Sequence, residues 1–277
     1  MITFQILVVL GSTAAGLLGA MLGLGGGIIV IPFLTILLGV DIRHAIGASI
    51  VSVIATSSGA AAAYVRDRVT NIRIGMFLES ATTTGAITGA FLAGLFSVKA
   101  LYIVFSGLLL YSAVAMFQKR NQELPQGVVP HPWSDRLKLN GSYYDQAVGE
   151  KVGYVAAGIP QGFGMMFVAG VLSGLLGIGS GLFKVLGMDV FMKLPLKVST
   201  ATSNFMIGVT AAASAGVYFA RGQIDPLVAG PVALGVLLGA ALGSKIMVRV
   251  KNATLRKIFV PVLVYVSLQM LVKGLGV

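Results

Sequence analysis

The chain has 277 residues, 56% of them hydrophobic and only 10% charged, against about 25% charged in soluble domains, so a water-soluble globule is excluded. Twenty Lys and Arg against nine Asp and Glu give a formal charge of +11; in a chain this apolar the excess reads as a membrane-topology signal, not as a nucleic-acid footprint. The absence of cysteine removes disulfides, thiolate metal sites and Cys nucleophiles together.

Turn residues and charges divide the sequence into ten apolar segments. The first, 2–22, is preceded by no basic stretch and is expected to be retained, not cleaved as a leader. The cluster Gly23-Leu-Gly25-Gly26-Gly27 separates it from a short segment at 28–38, and long segments follow at 44–64, 73–95 and 99–118. The polar stretch 119–150 is expected to be a loop between two halves, with no chemistry of its own. Beyond it lie a long segment at 152–176, the cluster Gly177-Ile-Gly179-Ser180-Gly181, a short segment at 182–193, and long segments at 197–219, 226–248 and 254–274. The eight long segments approach the roughly 20 residues that span a bilayer. The short ones rise only about 16 Å as helices.

A shift of 154 positions superimposes the halves without a gap, pairing Gly23 with Gly177, Gly25 with Gly179, Gly27 with Gly181, Ser49 with Ser203, Gly85 with Gly239 and Gly89 with Gly243. Residues 1–118 and 151–277 are therefore read as two membrane repeats joined by 119–150. If every segment crosses, fifteen Lys and Arg fall on the linker side and four, Arg43, Lys99, Arg221 and Lys273, on the other. If the short segments only re-enter, the same charges split nearly evenly. The positive-inside rule thus predicts an all-α integral membrane protein of two inverted five-segment repeats in the cell membrane, with both termini outside and the linker cytoplasmic. Inverted repeats with interrupted helices place a transporter's substrate near the midplane, between the two breaks.

The chemistry is expected at those breaks. A helix that starts after a glycine cluster leaves backbone N–H groups without intrahelical partners at its positive dipole end, which suits an anion. Glycine permits the positive φ and the close approach, so Gly23, Gly25, Gly26, Gly27, Gly177, Gly179, Ser180 and Gly181 are candidate binding positions; a kink serving only tight packing is the plainer reading. Valine at Gly25 or Gly179 is expected to occlude the donors and stop transport while leaving the fold. Lys184, three residues past the second break, reads either as an anion ligand or as a lysine paired with Asp189 or snorkelling to an interface. Ser49, Ser52 and Thr56, and Ser199, Thr202, Ser203 and Thr210, follow helical spacing on one face. Of these, Ser49, Ser52 and Ser203, with the neighbouring Asn204, are candidate substrate contacts. Glu79, two turns inside its segment, is a proton-coupling candidate, or else an interfacial carboxylate beside Arg73. The Gly85/Gly89 and Gly239/Gly243 pairs are small-xxx-small packing motifs and carry no ligand role. His44 and His131 are the only histidines, and no Ser–His–Asp set can be assembled inside the membrane, so an enzyme is not expected. Neither a metal nor a cofactor is implied.

The pattern Gly16-x-x-Gly19, Gly23-Leu-Gly25-Gly26-Gly27-x-x-x-x-Pro32 and Ala45-x-Gly47-Ala48-Ser49 resembles the sulfite exporter TauE/SafE family of membrane transporters, and the run from Ser173 to Ser203 looks like that family's second motif. Ser180 stands where the family usually has glycine, and Leu186 where the first copy has Pro32. The resemblance implies a permease for sulfite, organosulfonates or thiosulfate. The expected partners are accordingly a small anionic substrate and the lipid bilayer, without nucleic acid; the oligomeric state is left open, a homodimer being one option. A channel-like uniporter for another small metabolite and a non-transporting scaffold subunit remain as alternatives.

Overall fold

The computed structural model describes residues 2–92, 97–118, 125, 127–176 and 179–276. In chain order it contains α1 (Ile2–Leu22), a short α2 (Gly27–Pro32) prolonged by a π-helical turn at Phe33–Leu37, α3 (Ile42–Arg66), α4 (Ile72–Leu92) and α5 (Val98–Gln118). Then come α6 (Pro132–Arg136), strands β1 (Gly141–Asp145) and β2 (Glu150–Tyr154), and α7 (Ile159–Leu176). The short α8 (Gly181–Leu186) with its π-helical turn Gly187–Phe191, α9 (Leu196–Ala220), α10 (Pro226–Met247) and α11 (Asn252–Leu275) complete the chain. Among the described residues, Phe4–Leu22, Arg43–Arg66, Pro226–Met247 and Ala253–Leu275 are long and apolar enough to cross a bilayer by themselves. The protein is an all-α membrane fold with one small hairpin.

Equivalent elements recur at the offset of 154. Helices α2, α3 and their π-helical turn match α8, α9 and theirs residue for residue. Capping repeats as well: the Asn71 carboxamide accepts from Ile74 N at 3.1 Å at the start of α4, and the Asp225 carboxylate accepts from Leu227 N at 2.9 Å at the start of α10.

The glycine pairs pack helices as expected. A methyl group added to Gly85 would lie 2.3 Å from the Phe167 carbonyl oxygen of α7, and one added to Gly239 would lie 2.0 Å from the Thr13 carbonyl oxygen of α1. These two contacts are again related by 154 positions. Backbones that approach this closely gain dispersion contacts that no larger residue allows. Residues 13 and 17 of α1 meet 239 and 243 of α10 in the same order, so these helices run parallel. Helices α3 and α9 run antiparallel: Gly47 lies against the Gln223 carbonyl, Ser57 Oγ donates to Asn204 O at 2.6 Å, and Asn71 N donates to Thr202 Oγ1 at 3.1 Å.

Two expectations are corrected here. The segment expected at 152–176 becomes helical only at Ile159, where Pro160 is tolerated in the first turn and not deeper, and residues 150–154 form an edge of a hairpin. The stretch expected to be a loop without chemistry contains α6 and β1, paired from Gly141↔Tyr154 to Asp145↔Glu150. A two-stranded hairpin is marginal alone; this one is held by docking. Asn71 Nδ2 donates to Leu139 O and Tyr154 Oη, both at 3.0 Å, and Ala157 N donates to Met192 O at 3.0 Å. Residues 119–124, 126 and Gly177 lie outside the described residues.

Candidate functional site

At the first break Gly23, Gly25 and Gly26 have φ of 73°, 76° and 71°. Left-handed backbone is costly for any residue with a Cβ, so three such residues close together explain the glycines. Leu24 N donates to Gly19 O at 2.8 Å, closing α1. At the second break Gly179 has φ 77° and Ser180 φ 52°. Ser180 therefore keeps the geometry of its equivalent Gly26 despite its side chain.

The two breaks meet. The start of α8 rests on the first break, where a methyl on Gly181 would lie 2.2 Å from Gly23 O and 2.9 Å from Leu24 backbone atoms. Gly25 and Gly179 both pack against Val53, with a methyl on either falling 3.2 Å or 2.6 Å from it. Ile207, the repeat equivalent of Val53, covers Gly25 from the other side. A valine at Gly25 or Gly179 would combine left-handed strain with overlap of these side chains, so such variants are expected to lose stability as well as transport.

Of the hydroxyl and amide candidates, Ser203 is engaged with the breaks themselves. Ser203 Oγ lies 2.9 Å from Gly23 O and 3.0 Å from Gly181 O, donating its single proton between the two breaks. Asn204 Nδ2 donates to Ala20 O at 2.8 Å and Thr200 O at 3.1 Å, which fixes the amide orientation and leaves Oδ1, an acceptor, buried without a partner among the described residues. Ser52 Oγ donates to Ser49 O at 2.7 Å, and Ser49 is fully buried. Thr56 Oγ1, against Gly26, and Ser180 Oγ are buried hydroxyls with no partner among the described residues. Such groups lose hydrogen bonding to water without replacement, and both lie at the breaks.

One turn beyond the second break, Lys184 Nζ forms an ion pair with Glu79 Oε2 at 3.2 Å, across 105 residues. Lys184 is 0% and Glu79 7% exposed. Thr210 Oγ1 donates to Glu79 Oε1 at 2.6 Å and accepts from Lys184 Nζ, while Thr83 Oγ1 donates to Glu79 Oε1 at 3.0 Å. The structure thus joins two residues that the sequence suggested separately: the partner of Lys184 is Glu79, and the place of Glu79 is in the bundle, not beside Arg73. The repeat equivalents of Lys184 and Glu79 are Val30 and Ala233, so each half contributes one member of the pair and neither charge is duplicated.

A second buried pair had no signal in the sequence. Lys197 Nζ, at the start of α9, donates to Asp145 Oδ1 at 2.6 Å and to Val248 O at 3.2 Å. Asp145 belongs to the hairpin, which a reading of apolar periodicity skips. At the Gly141–Tyr154 end of the hairpin lies an open cavity of about 490 Å³, lined in part by Asn140, Tyr154, Lys193 and Pro195.

Residues 8–270 match the family described as Sulfite exporter TauE/SafE. The chain is 28% identical over 284 residues to the probable membrane transporter protein YunE of Bacillus subtilis (strain 168), covering 99% of each. It is 26% identical over 245 residues to the probable membrane transporter protein YdhB of the same organism, covering 86% of this chain and 89% of that one. No solved structure matches. With a family match that covers nearly its whole length, the chain belongs to the sulfite exporter TauE/SafE family of membrane transporters.

Proposed function

We propose that this protein is a secondary permease for a small sulfur-containing anion, such as sulfite, an organosulfonate or thiosulfate, working by alternating access between two inverted repeats. The observation that carries this reading is the contact of the two breaks: Gly181 on the Gly23 carbonyl, bridged by Ser203, with the buried hydroxyls of Thr56 and Ser180 beside it left without a partner among the described residues. Hydroxyls buried without a partner where two glycine breaks touch gain hydrogen bonds when an oxyanion binds between them. The antiparallel α3 and α9 support the inverted relation. The basic residues count toward a cytoplasmic linker and external termini. Coupling to protons through Glu79 belongs to this reading.

The test is thermal unfolding of the detergent-purified protein with sulfite, thiosulfate, sulfoacetate, taurine, sulfate and chloride. A ligand bound only by the folded state at 100 times its Kd adds about 2.7 kcal/mol, so a clear rise in Tm with one or a few sulfur anions is expected, and a smaller one in Ser203→Ala. No rise with any of them, together with no flux in proteoliposomes, would reject the permease and favour a scaffold.

A further inference from the structure

We infer that Glu79 is an internal counter-ion which the substrate anion displaces from Lys184, that the displacement requires a proton on Glu79, and that the preferred substrates are therefore monovalent anions carried with one proton each. This deepens the permease reading and rests on it.

Lys184 is fully buried in a helix one turn from the break. A buried ammonium needs a compensating anion at all times, and Glu79 supplies one now. A substrate oxyanion that reached Lys184 while Glu79 stayed ionised would leave two negative charges on one cation in a medium of low dielectric, where like charges repel strongly. Protonating Glu79 removes the conflict. The carboxylic acid can stay in place, because Thr210 and Thr83 hold it through hydroxyls that accept as readily as they donate. The empty state (Lys184 with ionised Glu79) and the loaded state (Lys184, protonated Glu79 and a monoanion) then carry the same net charge. A dianion would leave the loaded state one charge more negative.

The surroundings favour this assignment to Glu79. Helix α7, packed along α4, carries no ionisable residue. From α9 come Thr210 and, two turns on, Tyr218, which donates to Gly174 O at 3.2 Å; Lys197 of the same helix is paired with Asp145. From α8 comes Lys184 alone, and Arg73 at the start of α4 is exposed. Asp189, in the π-helical turn after α8, is a further buried carboxylate, so it serves as the comparison.

The experiment uses the purified full-length protein and methanesulfonate, a monoanion at every pH used, with thiosulfate as the dianion, at about pH 5.5 and about pH 8. Methanesulfonate affinity is expected to fall with rising pH, approaching about tenfold per pH unit, with close to one proton taken up per anion bound in weakly buffered solution. In Glu79→Gln the affinity should equal or exceed the acid value of the wild type at both pH values, without proton uptake. Asp189→Asn should keep the wild-type pH dependence, Lys184→Met should lose methanesulfonate binding, and thiosulfate should bind more weakly than methanesulfonate. Wild-type pH dependence in Glu79→Gln, its loss in Asp189→Asn, or anion binding by the wild type without proton uptake would each overturn the exchange while leaving a permease; the last needs no variant to fold. No binding of methanesulfonate, thiosulfate or sulfite by the wild type would overturn the permease reading itself.

Discussion

Gly181→Ala is expected to cost about 3 kcal/mol or more, at or beyond the upper end of the usual 1–3 kcal/mol for forcing an extra methyl into a packed interior. The methyl would lie 2.2 Å from Gly23 O and 2.9 Å from Leu24 backbone atoms. Neither is the end of a flexible side chain, so relief requires one break to move away from the other. That same movement would lengthen the bonds from Ser203 to Gly23 O and Gly181 O. Two controls separate the causes. Gly39 has φ +67° and nothing within 4 Å of an added methyl, whereas Gly164 has neither a positive φ nor a neighbour there. Gly39→Ala should lose roughly 1 kcal/mol to backbone strain, and Gly164→Ala should change little. Thermal unfolding of the three variants in one detergent checks the order. If Gly181→Ala falls with Gly164→Ala, the breaks are not held in contact and the closed site is lost with them.

The parts of this fold that were legible in the sequence are those written locally. Apolar runs punctuated by glycine locate helices and breaks, because both depend on residues within one turn of each other. A duplicated pattern at a constant offset then exposes the repeat, since Gly25 and Gly179, or Gly85 and Gly239, have to meet the same geometric demand twice. What stayed hidden depends on which helices lie side by side. Glu79 and Lys184 both stand out as charges inside apolar segments, yet they are 105 residues apart, and nothing in their spacing says that α4 packs along α9 and so brings Glu79 within reach of Lys184. The asymmetry obscured them further, since the repeat places Ala233 and Val30 at the matching positions. Ser203 and Asn204 stand out in the sequence as candidate substrate contacts, but the carbonyls they meet, those of Gly23 and Gly181 for Ser203 and of Ala20 and Thr200 for Asn204, depend on how α9 packs on α1 and the breaks. The hairpin escapes a reading by composition and length, because a strand pair needs only about a dozen residues if a scaffold supports it.

Breaking the Asp145–Lys197 pair should show how much the hairpin contributes to holding the bundle. Asp145 is 2% and Lys197 1% exposed, and removing one partner of such a pair commonly costs 3–5 kcal/mol because it strands the other charge. Lys197 is especially exposed to this, for it sits in the first turn of α9, where the helix dipole disfavours a cation. The Asp145 carboxylate and the Val248 carbonyl at the end of α10 offset that dipole. Asp145→Ala should therefore lower stability by roughly 3 kcal/mol or more, and Asp145→Leu with Lys197→Met should recover most of the loss, since an apolar pair leaves no buried charge. The pH dependence follows from the carboxylate. Burial pushes the Asp145 carboxyl up, but hydrogen bonds from Lys197, Ala147 N and Tyr143 Oη, with the charge of Lys197, outweigh it and hold the group below its ordinary value. A group depressed in the folded state stabilises fully above its unfolded value, about 3.9 for aspartate, and that contribution is lost as pH falls through the lower folded value. Wild-type protein should accordingly lose this increment of Tm below about pH 4, and the double variant should lack it. Equal acid sensitivity in the two proteins would mean that the hairpin's carboxylate does not clamp α9 to α10.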